Sequence, residues 1–373
     1  MSDLTLAVDF SASMTKGFFT FETFKPELIL MEPEVASVSL QSLIAYEESK
    51  IGSTSPENAA WVTYKGQHYA VGHLARHKFS ADLQLKKRKF ESAIPKVLAL
   101  CGAISSKYEL TGETNMRLAV LLPWGEYQDR LLFKKTISTA LSNYNFRSDT
   151  KSFVLDAFLC LPEGGGVLIK GRDPGASIQN FKIVVVIVGY RDVSLLIMDR
   201  GELSTGMTRP LGFYHLIEGV KARTSGLNEH VLASTICKAG KNVNPKALMA
   251  LVNNVGENYR DYEISNVRTA IADARAEYWS KLEPWLKLEV GRDVDEVILT
   301  GGTAHFLRSE LNSLFSYTTV NWCENLERQI LSNFQSEVTA KSLSYRLTDI
   351  YGLFFYLIGN ANLQRVNTHG EKY

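Results

Sequence analysis

The segment DFSASMTK places a carboxylate at Asp9, small residues at Ser11, Ala12 and Ser13, and a lysine at Lys16. A carboxylate at the end of a strand can hold the water shell of a magnesium ion. Small turn residues expose backbone N–H groups to a phosphate, and a lysine offsets its charge. An ordinary hairpin with a polar tip accounts for the same residues. A second candidate is Gly301, Gly302, Thr303 and Ala304, between an apolar run and an expected helix starting near His305. Glycines there let the backbone approach a flat or anionic ligand, and a helix N-terminus favours phosphate or ribose oxygens. A plain strand-to-helix turn fits as well.

Other groupings carry less. Gly240 and Lys241 end a stretch with Thr235 at the first glycine position of a Walker loop and Asn242 after the lysine, which excludes a P-loop. His68, His73 and His77 include an i, i+4 pair, but no acidic or cysteine ligand lies close in sequence, so they read as structural. Lys86, Lys87, Arg88 and Lys89 open an amphipathic segment and read as a solvated face or a contact between protomers.

The elements that must position these residues follow from periodicity. Leu4 to Asp9 is strand-like, the polar turn follows, and an extended pattern resumes from Phe18 to about Glu22. The design recurs in mid-chain, where Ile183 to Val188 enters a turn at Gly189 and Val193 to Met198 leaves it, suggesting an internal duplication. Phe133 to Tyr144 and Arg268 to Val290 are amphipathic, with Ile271, Ala274, Tyr278 and Leu282 at helical spacing; Pro284 is expected to kink or split the second. Val294 to Leu299 reads as a buried strand, and Ala361 to Tyr373 as a loose tail. Strands mixed with long helices in this order predict an α/β protein.

At roughly 150 residues per domain, 373 residues make two or three compact units. Forty-one Lys plus Arg against forty Asp plus Glu exclude nucleic-acid binding driven by bulk charge. Cys101, Cys160, Cys237 and Cys323 have no CxxC spacing and read as reduced core thiols, which points to the cytoplasm. The N-terminus has no signal-peptide pattern, and the longest apolar run is too short to cross a membrane.

In order along the chain, these pieces resemble the superfamily of actin, ParM and the heat-shock chaperone ATPases, and within it the ParM/StbA branch. Asp9 and Lys16 match the family's first phosphate loop, with Ser11 in place of its glycine. LLPWGEY looks like the first connecting motif, and Glu163 in LCLPEGGG like the acidic residue that orients the attacking water. VIVGYRDVSLL stands where the family has its second phosphate loop, LTGGTA resembles the adenosine motif, and DIYGLF the second connecting helix. One departure matters: with Gly189 on the first family glycine, Ile187 falls where the family has its magnesium-side aspartate, and Asp192 lies after the turn.

The resemblance implies a duplicated, ribonuclease H-like two-domain fold. The expected division is residues 1–175, with an inserted subdomain at about 23–100, residues 176–350, and 351–373 returning to the first domain. It implies ATP or GTP with Mg2+ bound by Asp9, Ser11, Ala12, Ser13, Lys16, Gly189, Gly301, Gly302 and Thr303, with Asp9 beside the metal and Glu163 catalytic. It also implies head-to-tail filaments, joined to DNA through a DNA-binding adaptor of ParR type for plasmid or chromosome segregation, or serving as a bacterial cytoskeleton. Loss of the second carboxylate puts hydrolysis in doubt more than binding. The competing expectation is a small-molecule kinase of the same fold, which needs a base such as Asp192. A chaperone-like module would want a further substrate domain.

Overall fold

The computed structural model describes residues 4–21, 25–83, 88–171, 178–227, 229–252, 256–339 and 343–360. The expected tail and two residues of the basic run, Lys86 and Lys87, lie outside them. The chain forms two compact units, Met1–Ala176 with Cys323–Tyr373, and Ser177–Trp322.

The first unit opens with β1 (Leu4–Ser11), β2 (Met14–Phe21) and β3 (Glu27–Met31), followed by β4 (Val35–Val38), α1 (Leu40–Glu48), β5 (Trp61–Tyr64), β6 (Gln67–Val71) and α2 (His73–Lys78). Next come α3 (Lys89–Lys107), β7 (Glu113–Leu122), α4 (Trp124–Tyr127), α5 (Arg130–Ser142), β8 (Tyr144–Phe146), β9 (Asp149–Pro162) and α6 (Gly165–Lys170). β1 pairs antiparallel with β2 and β2 with β3, while β1, β7 and β9 run parallel. The start of β9 pairs instead with β8, continuing the sheet through β5, β6 and β4. Those strands with α1 and α2 form the insert, over a small core of Leu43, Trp61, Ala70, Leu74 and Ala75. The expected insert, to about residue 100, took in the first part of α3. Its buried Val97, Leu100, Cys101 and Ile104 instead share the main core with Leu6 and Val8.

The second unit repeats the plan with β10 (Lys182–Val188), β11 (Val193–Asp199) and β12 (Glu202–Arg209). The helices α7 (Tyr214–Lys221), α8 (Glu229–Ala239), α9 (Pro245–Leu248) and α10 (Glu257–Val290) follow, then β13 (Glu296–Thr300), α11 (Gly302–Phe306), α12 (Arg308–Leu314) and β14 (Thr319–Asn321). The sheet order is β12-β11-β10-β13-β14, with β10, β13 and β14 parallel. In both units the first strand of an antiparallel trio lies beside two later parallel strands, so the duplication suggested by two hairpins extends to five strands of each sheet.

Three details depart from the sequence reading. α10 runs through Pro284 as one helix, with Ile271, Ala274, Tyr278 and Leu282 all buried; packing along one face offsets the single backbone hydrogen bond that proline forfeits. Helix α11 begins at Gly302 rather than His305. Cys237 is exposed on α8, unlike the other three cysteines.

The chain returns to the first unit at Cys323, earlier than the expected 351, through α13 (Glu324–Thr339) and α14 (Ser344–Gly359). The reason is an aromatic cluster. Phe18 of β2 packs on Phe334 of α13 at 5.1 Å and on Tyr351 and Phe354 of α14 at 5.4 and 5.9 Å between ring centroids. Aromatic contacts of this size make α13 as much a part of that core as α14.

Candidate functional site

Parallel strands leave their C-terminal ends together at one edge of the sheet, where open α/β folds bind ligands. In the first unit β1 brings Asp9 to that edge, and β9 ends at Pro162 with Glu163 next; the Glu163 N–H donates to Leu122 O of β7 at 2.8 Å.

Asp9 and Lys16 are cross-strand partners, and side chains at paired positions share a face. Lys16 Nζ lies 2.6 Å from Asp9 Oδ2, and Ser11 Oγ donates to the same oxygen at 2.6 Å. Two residues along β2, Phe18 packs on α14, so Lys16 on the same face also meets that helix: its Nζ donates to Arg346 O at 2.8 Å. The Arg346 guanidinium in turn donates from Nη2 to Ser13 Oγ at 2.7 Å, at the tip of the turn. Burial pushes the Asp9 carboxyl up, but the charges of Lys16 and Lys89 and the hydrogen bonds from Lys16 and Ser11 outweigh it. The net effect holds Asp9 below the usual carboxylate range, so it is ionised at neutral pH.

Lys89 corrects a sequence expectation. The basic run was read as a solvated face, and Arg88 does pair with Asp129 at the surface, but Lys89 is buried and forms an ion pair with Glu163. Glu126 of α4 fixes it there, its carboxylate accepting from the N–H groups of Lys89 at 3.0 Å and Phe90 at 2.8 Å. These are two of the backbone donors that the first turn of a helix leaves unpaired.

A third carboxylate, Asp349 of α14, caps α6. Its oxygens accept from the N–H groups of Gly164 at 2.7 Å, Gly166 at 2.9 Å and Val167 at 3.1 Å. Gly166 is required there, because a Cβ would lie 1.9 Å from Asp349 O. The surrounding protein pushes the Asp349 carboxyl up to about 7; the N–H groups of Gly164 and Val167 pull it down, and the charges of Asp9 and Glu163 add to the rise. Lys89, Arg346 and Asp349 were not identified as site residues from sequence. The signal that marks the last two is a pair of charges, three residues apart, in the otherwise apolar α14.

The second unit's edge has a different character. Ile187, at the position expected to lack its aspartate, pairs with Ser194 across the hairpin and with Thr300 of β13. The turn is held through backbone: Gly189 N–H donates to Asp192 O at 2.9 Å, and Gly189 O accepts from Phe213 N–H at 3.1 Å and from Thr303 Oγ at 2.8 Å. The glycine turn and the second hairpin are thus brought together by Thr303. Gly301 has φ of 103°, and a Cβ on it would lie 2.5 Å from Val188 O, so glycine is needed twice over. Asp192 accepts a hydrogen bond from Arg191 Nε at 2.5 Å. His68 is hydrogen-bonded to Thr63 at 2.7 Å.

The first unit's donors fit an anion and a hard cation. Ser11, Lys16 and Arg346 all donate around one turn, with the Ser13 hydroxyl accepting from Arg346, and Asp9 offers an ionised carboxylate of the kind that holds Mg2+ mostly through the ion's waters.

No protein-family model matches the sequence, and no curated protein matches it. Solved structures do. Apo psk41 ParM aligns over 96% of this chain and 98% of its own at 11% identity, with a TM-score of 0.55. The actin-like protein Alp7A aligns over 96% and 97% at 12% identity, TM-score 0.59, and an Alp12 filament structure over 96% and 99% at 13%, TM-score 0.57. At such identities the likeness is one of fold, and the chain has the actin-like duplicated α/β fold.

Proposed function

We propose that this chain is a nucleotide-binding, filament-forming actin-like protein whose hydrolysis is slow. The observation that carries the reading is the ionised Asp9, tied to Lys16 and Ser11 at the strand end that begins the first half of a duplicated actin-like fold. Asp9 would hold Mg2+ through the ion's waters, and the β1–β2 turn with Lys16 would meet the phosphates of ATP or GTP. Gly189, Gly301, Gly302 and Thr303 receive the nucleoside. When bound, the metal neutralises charge on the transferred phosphate. Glu163, held by Lys89, is the group placed to orient water.

Ile187 supplies no carboxylate to the metal, so turnover is expected to be slow while nucleotide stays bound. The fold shared with the Alp12 filament supports head-to-tail self-assembly, since a heterologous contact that does not close gives a filament. A DNA-binding adaptor of ParR type belongs to the same reading. The kinase alternative loses support because the solved structures of the same fold are ParM and Alp proteins, an Alp12 filament among them.

Pelleting and electron microscopy of the purified chain with ATP, with GTP and without nucleotide, each with Mg2+, test the reading. Filaments only with nucleotide are expected. A monomer under every condition that transfers phosphate to a sugar would replace this reading with the kinase.

A further inference from the structure

We propose that Asp349 is a positioning residue for Glu163: by holding the peptide group next to it, this carboxylate of α14 fixes the direction in which the Glu163 side chain leaves the end of β9. This rests on the nucleotide reading above, in which Glu163 orients water, and adds a residue to it.

Three glycines, Gly164, Gly165 and Gly166, follow Glu163 directly. Such a run has more conformational freedom than any other sequence, so a carboxylate attached to it has no fixed direction of its own. The direction of a side chain is set by the two peptide groups that flank its Cα, because φ and ψ are the soft dihedrals of the residue. At Glu163 both groups are tied. The Glu163 N–H donates to Leu122 O of β7 at 2.8 Å, and the Gly164 N–H donates to Asp349 Oδ2 at 2.7 Å. Gly164 takes a φ of 93°, a left-handed conformation that glycine enters and leaves freely, so the turn from β9 into α6 needs an external hold.

Asp349 is itself firmly placed. Its Oδ1 accepts from the N–H groups of Gly166 at 2.9 Å and Val167 at 3.1 Å, and its neighbours Leu347, Ile350 and Leu353 on α14 are buried. Glycine lets α6 touch α14: a Cβ on Gly166 would lie 1.9 Å from Asp349 O, and one on Gly352 would lie 2.4 Å from Gly166 O. The run that loosens Glu163 therefore also admits the carboxylate that holds it. Lys89 fixes the far end of the Glu163 side chain by an ion pair, and Asp349 fixes its near end through the backbone. All of these residues belong to the first unit.

The test is a double-mutant cycle. Wild type, Asp349→Asn, Glu163→Ala and the double variant are compared by calorimetric titration with ATP and with GTP in Mg2+, and by single-turnover phosphate release. In Asp349→Asn the amide oxygen can serve Gly166 and Val167 while its NH2 faces the Gly164 N–H, donor against donor. The rate is expected to fall about 10- to 100-fold, no further than in Glu163→Ala, the scale on which a misplaced catalytic group costs rate. Nucleotide affinity should stay within about twofold, and in the Glu163→Ala background the same substitution should change the rate by less than about twofold. Thermal melting shows which variants are folded, and Asp349→Ser, whose hydroxyl can serve one N–H, carries the cycle if Asp349→Asn is not. An unchanged rate, a loss of equal size with and without Glu163, or a loss that tracks weakened nucleotide binding overturns the assignment. A wild type that binds neither triphosphate, or a rate indifferent to Glu163→Ala, overturns the reading of the site itself, and this inference with it.

Discussion

The two halves of the molecule share a strand plan and differ in what occupies the same place on it. In the first, the paired positions near the end of the leading hairpin are Asp9 and Lys16, an ion pair drawn in by Ser11 and α14. In the second they are Ile187 and Ser194, and the turn is held by Gly189's backbone and the Thr303 hydroxyl. A repeated scaffold can therefore keep its shape by two kinds of force. The charged half can attract phosphate and metal, and the backbone-held half can offer a close, uncharged approach.

Gly166→Ala is expected to break the scaffold hardest, and its comparison with Gly301→Ala shows which half has less slack. Gly166→Ala drives a methyl to 1.9 Å from Asp349 O and is expected to cost more than about 4 kcal/mol in denaturant unfolding. Gly301→Ala meets Val188 O at 2.5 Å and adds the strain of positive φ, for about 2–3 kcal/mol. Equal costs would show that α14 and α6 can shift apart.

Removing the charge comes next. Asp9→Ala leaves Lys16 buried without its carboxylate, a loss of about 3–5 kcal/mol, and abolishes Mg2+-dependent nucleotide binding. Ile187→Ala, on a half-buried side chain, costs about 1–2 kcal/mol and leaves binding in place. Comparable binding losses in both variants, measured by calorimetry, would end the contrast drawn between the halves.

The contrast was partly legible in the sequence. Asp9, the small-residue turn and Lys16 are local in the chain, and so is the change to Ile187; hairpin periodicity located both strand–turn–strand units but not the Asp9–Lys16 and Ile187–Ser194 pairings. Lys89, Arg346 and Asp349 were missed because what they do depends on partners distant in sequence, such as Glu163, Ser13 and Gly164. A run of lysines cannot announce that its last member turns inward. Pro284 misled for a related reason, since the burial that carries α10 through it is tertiary.

A pH series sharpens the comparison further. The Asp349 carboxyl is raised from 3.8 to about 7 in the folded protein, so its contribution to stability is full below about pH 4 and is lost as pH rises through 7. The fall is of order 2–4 kcal/mol. Asp349→Asn should flatten that slope in unfolding experiments between pH 4.5 and 8; a slope that persists would assign it to other groups. The smallest effect belongs to the second hairpin. Ser194→Ala removes a 3.3 Å hydrogen bond to Thr208 and should cost about 0.5–1 kcal/mol, a tenth or more of what a buried ion pair can lose.

The most direct measurement is steady-state phosphate release at saturating nucleotide from wild type, Glu163→Ala and Ile187→Asp. The proposed function predicts slow turnover in wild type, slower turnover without Glu163, and faster turnover when Ile187→Asp puts an acid on the second hairpin. Rapid wild-type turnover that survives the loss of Glu163 would contradict it.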